Sequence, residues 1–176
     1  MTLPDISTFI RNVPDFPKPG ILFKDITPLL QDPVARKQVI DLILQRFEKE
    51  NIHAVAGIEA RGFLFGVPIA DALGVPFIPV RKQGKLPYDH ISESYALEYG
   101  HATVEIHSDA VKRDQRVLIH DDLLATGGTC MAAAALLEKL GAVPAAFSFL
   151  INLSFLSGAE KIRGKFQVNP HWLVEY

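Results

Sequence analysis

Residues 116 to 129 read RVLIHDDLLATGGT, and the way this run changes character decides the fold. Arg116 to Asp122 is an almost unbroken apolar strand pattern that stops on two acids. A strand without polar alternation is buried on both faces, which requires a parallel sheet covered by helices. The following CMAAAALLEKLGA supplies strong helix formers, with Leu136, Leu137 and Leu140 as core candidates and Gly141 as the stop. Strand, glycine turn and helix in that order place residues 121 to 129 at the carboxyl end of a parallel strand, where open α/β sheets bind ligands. Gly127 and Gly128 permit close backbone approach, Thr126 and Thr129 offer hydroxyl donors, and the helix start directs free N–H groups outward. Such a turn suits a phosphate; a plain glycine turn with threonine caps is the ordinary alternative. Asp121 and Asp122 can accept from sugar hydroxyls, directly or through a magnesium-bound water. Neighbouring strand residues point to opposite faces, so both acids serve one ligand only where the strand ends or bends.

Working outward, the same alternation recurs. Asp32 caps a helix begun by Pro33, whose Val39, Ile43 and Phe47 share one side over Val34 to Glu50. His53 to Gly57 reads as a strand, roughly Phe63 to Ala72 as a helix stopped by Gly74, and Val75 to Val80 as a second strand. Arg81 to Glu93 is polar and broken by glycine and proline, which predicts an exposed loop of the kind recruited for closure. Tyr95 to Glu98 and Ala102 to Ile106 alternate around Gly100 and predict a hairpin, and a last strand falls within Ala145 to Leu150. Residues 1 to 31 mix a short apolar pattern with PDFPKPG, fitting a short helix and an extended arm.

The chain has 176 residues, 48% hydrophobic and 22% charged, which fits one globular domain. Eighteen basic against 20 acidic residues leave a net charge of −2, which argues against a nucleic-acid polymer as partner yet permits a small anion site. Cys130 is the single cysteine, so neither an internal disulfide nor a multi-thiolate metal site can form, and a reducing cytoplasm fits. The opening MTLPDISTFI lacks the basic start and apolar run of a secretory signal, and no apolar stretch is long enough to span a membrane.

The chain contains neither GxGxxG after its first strand nor GxxxxGK[ST], and neither GxSxG nor HExxH. Arg61, in GIEARGF between strand and helix, can hold a diphosphate or form a surface ion pair. Arg81, Lys82 and Lys85 concentrate positive charge in RKQGKLP, for phosphate contact or for solubility. Phe23 can stack on a purine or fill the core, Lys24 can meet an anion or an acid, and Glu98 can take a heterocycle proton or stand in solvent.

Five segments occur in a familiar order: PDFPKPGILFKDITPLL at 14–30, GIEARGFLFG at 57–66, RKQGKLP at 81–87, SYALEYG at 94–100 and VLIHDDLLATGGT at 117–129. Through them the whole chain resembles the adenine phosphoribosyltransferases. The resemblance implies the type I phosphoribosyltransferase fold, an α/β architecture with a central, mostly parallel sheet flanked by helices. One domain over 1–176 would include an N-terminal hood at approximately 1–31 and a flexible active-site loop. It implies transfer from 5-phospho-α-D-ribose 1-diphosphate (PRPP) to adenine, giving AMP and diphosphate in purine salvage, in a cytoplasmic homodimer. Magnesium is expected to arrive with PRPP or diphosphate, without direct protein ligands.

By the same resemblance Asp121 and Asp122 face the ribose, and Ala125, Thr126, Gly127, Gly128 and Thr129 surround the 5-phosphate. Glu59, Ala60 and Arg61 form the diphosphate turn, with Arg81, Lys82 and Lys85 as its cationic surroundings, and the resemblance allows Lys82 to come across a dimer interface. Leu22 through its backbone and Phe23 through its ring belong to the adenine side, Lys24 is a further substrate-binding residue, and Glu98 is the base-side catalytic carboxylate. Lys24 stands where Arg is frequent, His120 where an apolar residue is usual, and Asn152 and Ala159 where Glu and Arg are common. Another purine as acceptor, or a silent regulator that binds PRPP or a nucleotide, are the competing readings.

Overall fold

Seven strands form the central sheet of the computed structural model, which describes residues 5–96 and 100–176. Glu98 lies outside the described residues. The strands are β3 (Ala54–Ile58), β4 (Phe77–Lys82), β5 (His90–Ala96), β6 (His101–His107), β7 (Arg116–Leu124), β8 (Val143–Asn152) and β9 (His171–Glu175), in the spatial order β5-β6-β4-β3-β7-β8-β9. From β4 to β9 the pairing is parallel, and the antiparallel β5–β6 hairpin joins β4 through Arg81 opposite Glu105 and Lys82 opposite Val104. This is the helix-covered, mostly parallel α/β sheet that the sequence predicts.

Side chains of β7 alternate between two cores. Val117 and Ile119 join Leu136 and Leu137 of α4 (Gly128–Lys139) and Ile162 of α5 (Gly158–Phe166) on one face. Leu118 joins Val39 and Ile43 of α2 (Pro33–Phe47) and Phe65 and Ile69 of α3 (Gly62–Leu73) on the other. That period of two is what a strand buried on both sides requires. At the start of α2 the Asp32 carboxylate accepts from the N–H groups of Val34 and Ala35, with Pro33 in the first turn; such a cap is worth about 1 kcal/mol.

The N-terminal arm is itself a two-stranded antiparallel ribbon, β1 (Arg11–Pro14) with β2 (Leu22–Asp25), followed by α1 (Thr27–Gln31). Ile6, Ile10, Ile26 and Leu29 are buried in the same core as α2 and α3, which fixes the arm over that end of the sheet.

Several boundaries differ from the sequence reading. Strand β4 begins at Phe77 and runs on to Lys82, so Arg81 and Lys82 are strand residues. Glu59 donates its N–H to the Val80 carbonyl, so even-numbered residues of β4 face β3, and Pro79 turns its missing donor to the side where β6 arrives only at Arg81. The loop expected over Arg81 to Glu93 shrinks to 83–89, because β5 starts at His90. Its alternation was masked by Glu93, an inward-facing charge that Lys139 of α4 neutralises. Helix α5 and strand β9 were not anticipated.

Strand β3 leads through α3 to β4 on one side, while its other neighbour β7 leads through α4 to β8. The chain therefore diverges between β3 and β7, and the carboxyl ends of these two strands open the crevice in which such sheets take ligands.

Candidate active site

Beyond β7 the residues Ala125 to Gly127 turn sharply into α4, with Gly127 in the left-handed region at φ +79° as its cap. A side chain there would be strained, and the free N–H groups of the first turn of α4 are left without a side-chain cap. Asp121, Ala125, Thr126, Gly127, Gly128 and Thr129 line a cavity of about 70 Å³ at this turn. The turn is braced from behind by α5, a support that the sequence did not reveal. A Cβ on Gly158 would lie 2.3 Å from the Ala125 carbonyl oxygen, and Lys161 Nζ donates to the Thr126 carbonyl at 2.8 Å. Cys130 is inert here: its thiol donates to the Gly127 carbonyl, and burial pushes its pKa up to about 12.

The paired acids point apart, as neighbouring strand residues must. Asp121 faces the cavity, and its Oδ1 accepts from the Asp122 N–H at 2.9 Å. Asp122 is 3% exposed, and its Oδ2 lies 3.0 Å from Arg61 Nε. Burial raises both carboxyl pKa values; the charge of Asp122 adds to the effect at Asp121, whereas Arg61 opposes it at Asp122. The Arg61 guanidinium also lies over the ring of Phe23, 4.9 Å from its centroid, and Phe16 meets that ring edge-on at 5.1 Å. Two residues expected on opposite substrates, Arg61 and Phe23, are thus in contact, and a purine stacking on that face of Phe23 must displace the guanidinium.

Glu59 and the cationic segment form one unit. The Glu59 carboxylate accepts from Arg81 Nε at 3.2 Å and from the Lys82 N–H at 2.9 Å, while Arg81 also donates to the Lys85 carbonyl. Burial pushes the Glu59 carboxyl up, but those hydrogen bonds and the charges of Arg81 and Lys85 outweigh it and hold the pKa below its usual value. Ala60 is exposed beside Arg61, joined to Glu59 by a cis peptide, and the side chains of Lys82 and Lys85 are exposed.

On β2, Phe23 faces Arg61 whereas Leu22 and Lys24 face the other way. They line an apolar pocket of about 490 Å³ together with Leu153, Leu156 and Tyr176, three residues absent from the sequence reading. Lys24 is nearly buried; its ammonium donates to Asn12 Oδ1 at 2.8 Å and sits 3.4 Å from the Tyr176 ring centroid, and burial lowers its pKa. The unusual residues near the C-terminus are structural: Asn152 donates to Glu175, and Ala159 is packed in the α4 core. A further residue the sequence reading did not single out is Tyr95, whose hydroxyl accepts from Thr129 Oγ1 at 3.0 Å. Inward alternation on β5 is the one signal that could have found it.

Residues 25–154 match the model of the phosphoribosyl transferase domain. The adenine phosphoribosyltransferase of Nitrosococcus oceani is 52% identical over 171 residues, 97% of this chain and 98% of that protein. The enzyme of that name from Caldanaerobacter subterraneus is 54% identical over 164 residues, 93% and 95% of the two chains. The crystal structure of adenine phosphoribosyltransferase from Thermoanaerobacter pseudethanolicus superimposes with a TM-score of 0.94 at 49% identity, covering 99% of this chain and 100% of that one. A Giardia lamblia enzyme of the same kind, complexed with 9-deazaadenine, gives 0.93 at 36% identity and covers 100% and 98%.

Proposed function

Because the chain belongs to the adenine phosphoribosyltransferases of the type I phosphoribosyltransferase family, it converts adenine and PRPP to AMP and diphosphate, and we propose how its residues divide that work. The observation that carries the proposal is the pairing of two anion sites, the 125–129 turn and the Glu59–Arg61 turn, across the crevice between β3 and β7. The N–H groups of the 125–129 turn hold the 5-phosphate, and Asp121 orients the ribose hydroxyls from the same cavity. Arg61 and Ala60 receive the diphosphate, with Arg81, Lys82 and Lys85 adding positive charge and Glu59 holding Arg81 in place.

The base stacks on Phe23 of β2, on the face that Arg61 now covers, while Leu22 and Lys24 line the apolar pocket on the opposite face of the ribbon; the 9-deazaadenine carried by the Giardia relative supports an adenine-like acceptor. Lys24 shapes that pocket from behind. Glu98 accepts the imidazole proton as N9 bonds to the anomeric carbon and diphosphate leaves from the opposite face, which inverts that centre. Arg61, displaced from Phe23 and Asp122 as substrates enter, stabilises the departing charge.

Magnesium bound with PRPP neutralises charge on the diphosphate oxygens. No group of three or more metal-ligating side chains occurs among the described residues. Substrate oxygens would hold the ion, with Asp121 meeting it through water from the phosphate cavity. We also propose a homodimer, testable by light scattering. A cytoplasmic setting is in keeping with a lone buried cysteine, and no helix among the described residues is long and apolar enough to cross a membrane.

The deciding assay follows AMP from adenine and PRPP with and without magnesium, beside hypoxanthine, guanine and xanthine. Magnesium-dependent AMP formation with adenine preferred is expected. Faster product formation with another base would overturn the base assignment, and ligand binding without turnover would favour the silent regulator.

A further inference from the structure

We infer that Tyr95 is a positioning residue for Thr129 of the 5-phosphate turn, an inference that rests on the residue roles proposed above. Tyr95 points inward from β5 together with Ile91 and Glu93, and its ring packs on the core beneath α4. It reaches the first turn of α4 so closely that a Cβ on Gly128 would stand 2.9 Å from the ring. There the Thr129 hydroxyl donates to the Tyr95 oxygen at 3.0 Å.

The chemistry of that pair suits a phosphate site. A threonine hydroxyl carries one hydrogen, and an incoming phosphate is an acceptor. With its hydrogen given to Tyr95, Thr129 has only lone pairs to offer. If the phenol O–H turns to donate to Thr129 instead, the threonine hydrogen is released toward the phosphate with no movement of heavy atoms. Phosphate binding and the hydrogen bond to Tyr95 therefore reinforce each other. Tyr95 stands next to the last residue of β5, so this hydrogen bond also ties that end of the strand to the phosphate turn. Glu93, paired with Lys139 farther along α4, holds the same strand independently, so removing the phenol hydroxyl should loosen the end of β5 without unfolding it.

Tyr95→Phe removes the hydroxyl and keeps the ring; Thr129→Val removes the other partner at constant shape. Tyr95→Phe should raise the KM for PRPP about fivefold, the worth of one hydrogen bond, lower kcat, and leave the melting temperature near that of the unaltered protein. The Tyr95→Phe, Thr129→Val double variant should have a KM for PRPP no worse than its weaker parent. Unaltered constants in Tyr95→Phe, losses that multiply in the double variant, or a fall in melting temperature that tracks the loss of activity would each overturn the inference. An unaltered KM for PRPP in Thr129→Val would instead remove the phosphate role of Thr129, and the inference with it.

Discussion

His120 shows how a single residue can depart from the expected pattern and still leave a prediction behind. It lies in the middle of β7, fully buried, opposite Gly57 of β3 and Ser148 of β8. Burial drives its pKa down to about 3, with the Ser148 backbone pulling weakly the other way, so the ring is neutral at working pH and behaves as part of the core. An unfolded chain would protonate it near its ordinary value of 6.5. The folded pKa is the lower one, so stability is whole above pH 6.5 and declines as the pH falls from there toward 3. At pH 4.5 the loss from this residue alone is about 3 kcal/mol, a large share of a typical total. His120→Val should therefore gain on the unaltered protein by about that amount between pH 7 and pH 4.5, read as the difference between their urea unfolding free energies. A difference that stays constant with pH would show that His120 keeps its proton behaviour on folding. Sequence alone placed His120 in a strand buried on both faces and marked it as odd there, but how completely the ring is enclosed depends on the strands beside it.

At the level of elements, legibility followed the length of the local signal. The strand, turn and helix of 116–139 were readable because apolar run, acids, glycines and helix formers stand in unbroken order. Helix α5 was not, since its short polar sequence GAEKIRGKF buries only Gly158, Ala159 and Ile162. Its role depends on a contact 33 residues away in sequence, where Gly158 presses on Ala125 of the phosphate turn. The same limitation hid the apolar pocket, whose walls come from β2, the segment after β8 and the C-terminal Tyr176. Gly158→Ala tests the brace directly, because its Cβ would strike a backbone oxygen that cannot swing aside. The expected cost is about 2 kcal/mol of stability and a rise of about tenfold or more in the KM for PRPP as the turn shifts. A loss of stability with the KM for PRPP unchanged would mean that the turn holds its shape without α5.

For the whole molecule, the charge balance read from the sequence says less than where the charges meet. A net charge of −2 coexists with Arg61, Arg81, Lys82 and Lys85 at one end of the sheet, where Glu59 and Asp122 hold two of the four in place. The hood is bound into this plan by hydrophobic burial. Ile6, Ile10, Ile26 and Leu29 are nearly inaccessible and share a core with α2, α3 and the inner strands, so detaching the hood would expose each of them at about 1.5–3 kcal/mol per side chain. Leu118 of β7 belongs to that core while its neighbours Val117 and Ile119 belong to the core under α4, so the central sheet ties the two together. A single domain so tied together would unfold in one cooperative transition. Trp172, the only tryptophan, sits on β9 with its ring against the α4 core and under the Arg163 guanidinium, on the opposite face of the sheet from Ile6 and Ile10 of the hood. Its fluorescence, far-ultraviolet circular dichroism and a probe attached at the exposed Phe16 position should give the same urea midpoint. If the hood probe changes first while Trp172 keeps its native signal, the hood unfolds as a separate unit and the burial of its four aliphatic side chains does not couple it to the sheet.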